Sequence, residues 1–292
     1  MSRLGTLART PMLALALVGF GAFGCYESPQ QSVELALELA GTPASDAPLS
    51  DEGTARLSRA ELAFGPFWLC PGAQAGELCD TARLEWLDAA RVDVLSSSAQ
   101  SVGELRGVTG EVQSYMYDLG ISSLLGEPGS SFVAPVVDEL GGSVWLEGTA
   151  SVRGVDVPFG VRLTIATVEK SEQGVPVVRK STSEAFSHRV SEADEALRVE
   201  FDPNAWLGSL RASDLLVDAP CAEGVELGCR EGLELRCEAG VEVGTRSCAA
   251  LDQACRAGEG CVEQLGWSED EPAYRALVQA VTAGVRPRFE FR

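Results

Sequence analysis

The feature that most constrains the fold is an alternation of apolar and other side chains that recurs along the chain. It is clearest near the middle of the sequence, at Val157, Phe159, Val161, Leu163 and Ile165. Successive side chains of a β-strand point to opposite faces, so this period predicts a strand with one buried face. Val144–Val152 has a similar pattern, and the turn Arg153–Asp156 separates the two segments. We therefore predict a β-hairpin. Pro158 cannot donate a ladder hydrogen bond and indicates a sheet edge or a first strand position.

Short segments of the same kind occur throughout the chain. We predict further strands at Val33–Ala40, Leu57–Phe64, Leu84–Leu95, Gly110–Ile121, Leu197–Phe201 and Arg288–Phe291, with a loop over residues 42–54. Many short strands separated by turn residues favour two packed sheets over a helical or α/β fold. The predicted fold class is mainly β: an antiparallel β-sandwich of the transthyretin or immunoglobulin-like kind, formed by residues 32–219.

One helix is predicted near the end of the chain. Ser268 and Glu271 have the spacing of a capping box, and Gly284 supplies a stop signal. Apolar residues recur at helical spacing at Tyr274, Leu277, Val278 and Val281. We expect this helix to cap one end of the sandwich, with residues 266–292 supplying the helix and a closing strand.

The cysteines predict a separate module, inserted at residues 220–265 and stapled by disulfides. Of nine cysteines, six lie close together, at Cys221, Cys229, Cys237, Cys248, Cys255 and Cys261. A segment this small cannot bury a core of its own, and disulfides usually replace one. A zinc module is the alternative, but Cys-x-x-Cys pairs and nearby histidines are absent. Cys70 and Cys79 are expected to pair with each other, whereas the pairing among the six stays open.

The N-terminus has the pattern of a secretory signal, predicted to span residues 1–24. Arg3 and Arg9 precede an apolar run over residues 12–23 that is too short for a membrane span. Ala22-Phe23-Gly24-Cys25 resembles the bacterial lipobox, so we expect a lipid on Cys25, with residues 25–31 as lipidated cysteine and tether. Tyr26 in place of an aspartate favours the outer membrane. The alternative is an ordinary cleaved signal with a leftover thiol, but removing Cys25 leaves an even number of cysteines.

Charge and motif content exclude several functions. The net charge of −20 argues against nucleic acid and anionic lipid as partners. His188 is the only histidine and is expected to be an exposed loop residue. Gly-x-Ser-x-Gly, phosphate-loop and HExxH motifs are absent. We therefore predict no catalytic residue, no metal ligand and no cofactor. Five tryptophans either anchor the core or line a sugar-binding face, at Trp68, Trp86, Trp145, Trp206 and Trp267.

Several segments resemble a group of uncharacterised predicted bacterial outer-membrane lipoproteins. They include LSRAELAFGPFWLCPGAQAGELCD, GVTGEVQSYMYDLGIS, LEGTASVRGVDVPFGVRL and RVEFDPNAWL, while GLELRCEAGVEVGTRSCAALDQACRAGEGCV resembles Cys-rich modules inserted in such proteins. A fainter similarity is to the methanobactin-associated periplasmic copper-binding family, whose metal chemistry uses histidine near a strand like PFGVRL. Gly160 and Val161 stand there in this chain. The first resemblance implies a sandwich and no particular activity.

These observations predict a lipid-anchored cell-envelope protein with a non-enzymatic binding or structural role, on the periplasmic face or the cell surface. The predicted contact with the membrane is through the N-terminal lipid, and a protein or a glycan is the expected partner. The first alternative is a periplasmic or outer-membrane protein that binds copper or calcium. The second is a carbohydrate-binding or glycan-cleaving envelope protein that uses paired carboxylates.

Overall fold

The computed structural model describes residues 30–72, 81–127, 130–165, 180–181, 187–284 and 286–292. Two β-sheets dominate the unit Gln31–Arg292, and strands are numbered β1–β22 in chain order. The larger sheet has eight strands, which in spatial order are β14 (Lys180–Ser181), β9 (Ser114–Tyr117), β4 (Phe67–Cys70), β5 (Leu84–Trp86), β7 (Gln100–Val108), β1 (Ser32–Gly41), β16 (Ala196–Phe201) and β22 (Arg288–Phe291).

The smaller main sheet contains the predicted hairpin. Its strands in spatial order are β13 (Val155–Leu163), β12 (Val144–Val152), β3 (Thr54–Phe64) and β2 (Ala47–Pro48), and β6 (Ala90–Asp93) also pairs with β3. The turn of the hairpin is Arg153-Gly154, both with positive φ. Pro158 lies on β13, the last strand of this path, so the edge prediction is confirmed. Leu265 forms a bridge to Phe159 beyond that edge.

The two sheets enclose one hydrophobic core. Leu37 and Leu39 of the larger sheet and Leu62 and Leu146 of the smaller sheet belong to the same buried cluster. Along β1 the predicted alternation is present, because the apolar residues are buried and Glu34 is exposed. The β-sandwich is therefore confirmed, although β1 and β16 run parallel and the sheets are not purely antiparallel.

Two predicted strands are interrupted. Gly110–Ile121 contains β8 (Gly110–Val112), β9 and β10 (Ile121–Ser122). β8 pairs with β15 (His188–Val190), whereas β10 pairs with β11 (Phe132–Val133), so the segment serves three different sheets. The predicted strand Leu84–Leu95 likewise divides into β5 and β6. The loop predicted over residues 42–54 includes the short strand β2.

The helices are short: α1 (Pro135–Leu140), α2 (Ala212–Leu215) and α3 (Pro272–Gln279), with 3₁₀ turns at Pro203–Ser209 and Ala249–Leu251 and a π-helical extension at Ala280–Gly284. The helix predicted at the C-terminus is α3, but Ser268 is not its N-cap. The residue before a proline avoids helical geometry, and Glu271 is extended, with φ −81° and ψ 143°. The Glu271 carboxylate instead accepts hydrogen bonds from the Ser268 N–H (2.5 Å) and hydroxyl (2.7 Å).

Helix α2 begins at a carboxylate from a distant loop. Asp51 Oδ1 accepts the backbone N–H groups of Ala212 and Glu52, both at 2.8 Å. The hydrogen bond from Ala212, followed by that from Glu52, lowers the pKa of Asp51 below its ordinary value of 3.8. This contact joins the turn before β3 to the first residue of α2.

The Cys-rich segment contains two small β units. β17 (Leu227–Arg230), β18 (Leu233–Glu238) and β19 (Val241–Ser247) form a three-stranded sheet, and β20 (Ala254–Arg256) pairs with β21 (Gly260–Val262). Glu234 joins the two, because its carboxylate accepts Arg246 Nη2 and the Cys261 N–H, each at 3.0 Å. A Cβ on Gly260 would lie 2.3 Å from Glu234 Oε2, so a side chain there would displace the carboxylate from this position. After α3 the chain returns to the larger sheet as β22, beside β16.

Candidate functional site

A groove opens where the chain passes from one sheet to the other. β5 pairs with β7 only at Leu84–Gly107 and Glu85–Arg106. The following residues leave the larger sheet, and β6 joins the smaller sheet with Ala90 opposite Phe64. The continuous strand predicted over Leu84–Leu95 was therefore wrong at residues 87–89, where the chain crosses between sheets. The crossing leaves a groove of about 690 Å³ beside β7.

One backbone edge of β7 is open along this groove. The Val108 N–H donates to the Arg83 carbonyl at 2.9 Å, so the backbone of Val108 faces β5. Every second residue of a strand faces the same neighbour, which places the N–H and C=O of Arg106 and Glu104 on that side as well. β5 reaches Arg106 but not Glu104. Within the described ranges, no strand pairs with Glu104 from the groove side.

The opposite edge of β7 is covered along its whole length by β1. The register shifts by one residue between Leu37 and Glu38, which lie opposite Gly103 and Ser101, so Val102 is the extra residue of a β-bulge. Bulges increase local twist and redirect a strand. The bulge at Val102 lies on the part of β7 that borders the groove, beyond Arg106, where the pairing with β5 ends.

Trp86 forms a rigid wall of the groove because two glycines let it pack closely. A Cβ on Gly103 would lie 2.4 Å from Trp86 Nε1, and a Cβ on Gly65 would lie 2.7 Å from Trp86 Cζ3. Phe64 stacks near the indole, with ring centroids 6.3 Å apart and planes at 17°. The side chain is half-buried, so part of its apolar surface stays on the groove.

The rim of the groove is mainly acidic. The lining residues are Glu85, Trp86, Leu87, Asp88, Ser101, Gly103, Glu104 and Arg106. Arg106 is the one cation among them, and it lies 3.1 Å from Glu104 and 3.4 Å from Glu34. The Glu85 side chain makes no hydrogen bond or ion pair with any residue that the structure describes. A ligand in this groove therefore meets an uncompensated carboxylate beside an aromatic wall.

His188 is not the exposed loop residue that the sequence predicted. It lies on β15, and its ring stacks on Phe291 with centroids 3.8 Å apart and planes at 11°. His188 Nε2 lies 2.9 Å from Asp194 Oδ1, and Asp194 Oδ2 accepts the Ser191 hydroxyl at 3.1 Å. The hydroxyl is thus bonded to the carboxylate and not to the imidazole. This arrangement holds a turn and does not activate a nucleophile.

The other tryptophans divide between core and surface. Trp68 and Trp206 are buried. Trp145 lies on the outer face of the smaller sheet, with the guanidinium carbons of Arg59 and Arg162 at 3.3 and 4.1 Å from its ring centroid. The Trp145 ring therefore serves cation–π packing with both arginines. Of the predicted sugar-binding candidates, Trp86 lines the groove described above.

Trp267 lines a second, smaller cavity of about 410 Å³ between α2, the Cys-rich segment and the start of α3. Its indole N–H donates to the Asp214 carbonyl at 3.1 Å, and its ring packs against Phe159 with centroids 5.8 Å apart. Both interactions fix Trp267 within the fold.

The six clustered cysteines form three disulfides, as predicted: Cys221–Cys237, Cys229–Cys255 and Cys248–Cys261. Cys70 is also disulfide-bonded. Cys79 and Cys25 lie outside the described residues, so the predicted Cys70–Cys79 pair and the predicted lipid attachment at Cys25 stay predictions. In the described ranges no three histidine, cysteine or acidic side chains are close enough together to hold a metal ion. None of the helices described is long and apolar enough to span a membrane.

Sequence reasoning identified Trp86 but missed the residues that complete the groove, namely Glu85, Asp88, Gly103 and Glu104. The available signal was weak. Gly103 and Gly107 interrupt a strand-like segment, and glycine within a strand often marks the close approach of another group. Here Trp86 approaches the first glycine and the Arg83 backbone approaches the second.

No protein-family model matches the chain, and no curated protein matches it. Among solved structures, "MbnP from Methylosinus trichosporium" is similar, with 15% sequence identity over 61% of this chain and 78% of that chain and a TM-score of 0.29. This agrees with the fainter of the two sequence resemblances. A likeness this weak carries no argument about function.

Proposed function

We propose that this chain is an exported cell-envelope protein, anchored at the outer membrane by a lipid on Cys25, that binds a partner in the Trp86 groove without catalysing a reaction. The observation that carries the binding role is the groove itself. It combines a rigid aromatic wall, an open strand edge and an acidic rim. Sites of this kind, concave with a few converging polar groups, are the usual places for binding.

The composition of the groove supports binding over catalysis. Among the described residues, its lining contains one hydroxyl, on Ser101, no histidine or lysine that could activate it, and no cysteine nucleophile. Its carboxylates lie on an open rim, and Asp88 already accepts the N–H of Ala89 at 2.8 Å. The groove thus offers recognition groups without a nucleophile and base in contact.

The anchoring part of the proposal rests on the signal pattern and the lipobox-like residues before Cys25. Several acyl chains on one residue hold a chain firmly at a membrane, at about 0.8 kcal/mol per buried CH₂. Mass spectrometry of membrane fractions tests this directly. We expect a mature N-terminal peptide that begins with acylated Cys25, and a Cys25→Ser chain in the soluble fraction. A wild-type peptide without acyl mass would reject the anchoring.

Photo-crosslinking in intact cells tests the binding part. A photoreactive residue replaces Leu87 at the groove or, as a matched control, Val133 on β11; the two residues are 45% and 46% exposed. We expect a discrete crosslinked product from position 87 and none from position 133. Equal products from both positions, or none from position 87, would contradict the assignment of the groove as the binding surface.

A further inference from the structure

We infer that the occupant of the groove is an extended, basic polypeptide segment that adds to β7 as a strand beside Glu104. This inference rests on the proposed binding role of the groove and names the class of its partner. Two observations carry it: the orientation of the open backbone edge, and the charge around it.

The backbone of β7 is ready to accept a strand at one position. The Glu104 N–H and C=O face the groove, while the other edge of β7 is held by β1. A strand edge of this kind pairs readily with an extended peptide, which gains main-chain hydrogen bonds. β5 begins such a pairing at Glu85–Arg106 and then leaves, so the vacant position continues the ladder in register.

The side chains around the edge indicate an alternating sequence in the partner. Leu84 is buried and Trp86 packs against the core, so these side chains lie on the inner face of the sheet, whereas Glu85 is exposed on the outer face. On β7, Leu105 is buried and Glu104 exposed, which gives the same division. An added strand would therefore place one set of side chains near Trp86 and the alternate set near the two glutamates.

Charge selects basic residues for that alternate set. The Glu85 carboxylate has no partner among the described residues, and the Glu104 carboxylate shares Arg106 with Glu34. The chain as a whole carries a net charge of −20, which attracts cationic segments at long range. A peptide with lysine at every second position suits the outer face, where the two glutamates lie. A small β-branched residue between the lysines suits the inner face, beside Trp86.

The probe is a labelled octapeptide of alternating lysine and threonine, and the protein is the full chain carrying Cys25→Ser. Fluorescence anisotropy measures its affinity. Two further peptides carry N-methyl groups, one on every lysine amide and the other on every threonine amide. Only every second N–H of an added strand faces β7. We therefore expect one methylated peptide to bind at least about tenfold more weakly and the other to bind like the parent.

Charge is tested on the protein side with matched variants. Glu85→Gln with Glu104→Gln should weaken binding of the parent peptide about fivefold, since each exposed ion pair contributes only modestly and two are lost. Glu263→Gln with Glu269→Gln removes the same charge from exposed positions away from the groove and should change the affinity less than about twofold.

The inference is overturned if the parent peptide fails to bind, or if the two methylated peptides behave alike. It is also overturned if an alternating glutamate and threonine peptide binds as tightly, or if a member of a labelled neutral oligosaccharide panel binds the groove while the basic peptide does not. The assay does not depend on acylation, so failure of the peptide to bind and failure to find a lipid on Cys25 are separate results.

Discussion

Replacing Gly103 with alanine tests whether the close packing of Trp86 against β7 forms the wall of the groove. A Cβ at this position would lie 2.4 Å from Nε1 and 2.8 Å from Cε2 of the indole. Real Cβ contacts are longer than 3.0 Å, and an indole is rigid, so Trp86 has to move away from β7. The matched control is Gly244→Ala on β19, where no atom of the described residues beyond the adjacent ones lies within 4 Å of the added methyl group.

The expected free-energy change follows from two opposing effects. Gly→Ala at a compatible site stabilises by about 0.4–1 kcal/mol, because the unfolded chain loses freedom. Overpacking costs about 1–3 kcal/mol. Gly244→Ala should therefore be neutral or slightly stabilising, whereas Gly103→Ala should destabilise by about 1–2 kcal/mol.

Urea unfolding of the full Cys25→Ser chain under non-reducing conditions measures these changes. Adding Trp86→Ala completes a double-mutant cycle, because alanine at position 86 removes the indole atoms that the new methyl group would meet. In that background Gly103→Ala should lose its penalty. If Gly103→Ala is as stable as Gly244→Ala, or costs the same with and without the indole, the packing account is wrong.

Three further predictions concern the rest of the structure. Glu234→Gln should destabilise by about 1.5 kcal/mol in urea unfolding, since the buried carboxylate accepts two hydrogen bonds, whereas exposed Glu238→Gln should change stability little; equal effects would refute the role of Glu234. Replacing both cysteines of the pair Cys229–Cys255 by serine should cost about 0.6 kcal/mol more than the same change at Cys248–Cys261, because the sequence separations are 26 and 13 and each doubling of a loop adds about that much; a smaller cost for the longer loop would contradict this. The Asp51 pKa is lowered by folding, so its contribution is present above its ordinary pKa and is lost as pH falls through the lower folded value; Asp51→Asn should make the decline in stability below about pH 4 less steep, and an unchanged pH profile would refute the capping role.

The strands could be predicted because the signal is local. Alternation at β1 and along the β12–β13 hairpin appears in the sequence itself, and the buried faces match it. The sandwich follows from the number of such segments. The parallel pairing of β1 with β16 joins residues far apart in the chain, so no local pattern indicates it.

The crossing at residues 87–89 could not be predicted, because the apolar pattern continues through it. Leu84 and Val92 are both fully buried, but they lie on strands of different sheets. Only the pairing partners, β7 for one and β3 for the other, reveal the division. The groove depends on this crossing. Its acidic residues therefore could not be predicted as site residues from the sequence.

His188 shows the same limit. Its neighbours in sequence are polar and indicate a loop. The ring is nevertheless stacked on Phe291, a residue far from it in the sequence, so no local pattern could indicate the contact. The clustered cysteines show the opposite case. Their number and spacing predicted disulfides, while the three pairings needed the structure.

Residue-resolved amide exchange along β7 tests most directly the claim that its groove edge receives a strand. In the full Cys25→Ser chain without peptide, the Glu104 amide should exchange quickly and the Leu105 amide slowly, because only the latter faces β1. Binding of the peptide of alternating lysine and threonine should slow exchange of the Glu104 amide and leave the exchange rate of the Leu105 amide unchanged. If the peptide binds and the Glu104 amide exchanges as before, the partner does not add to β7 and the account is contradicted.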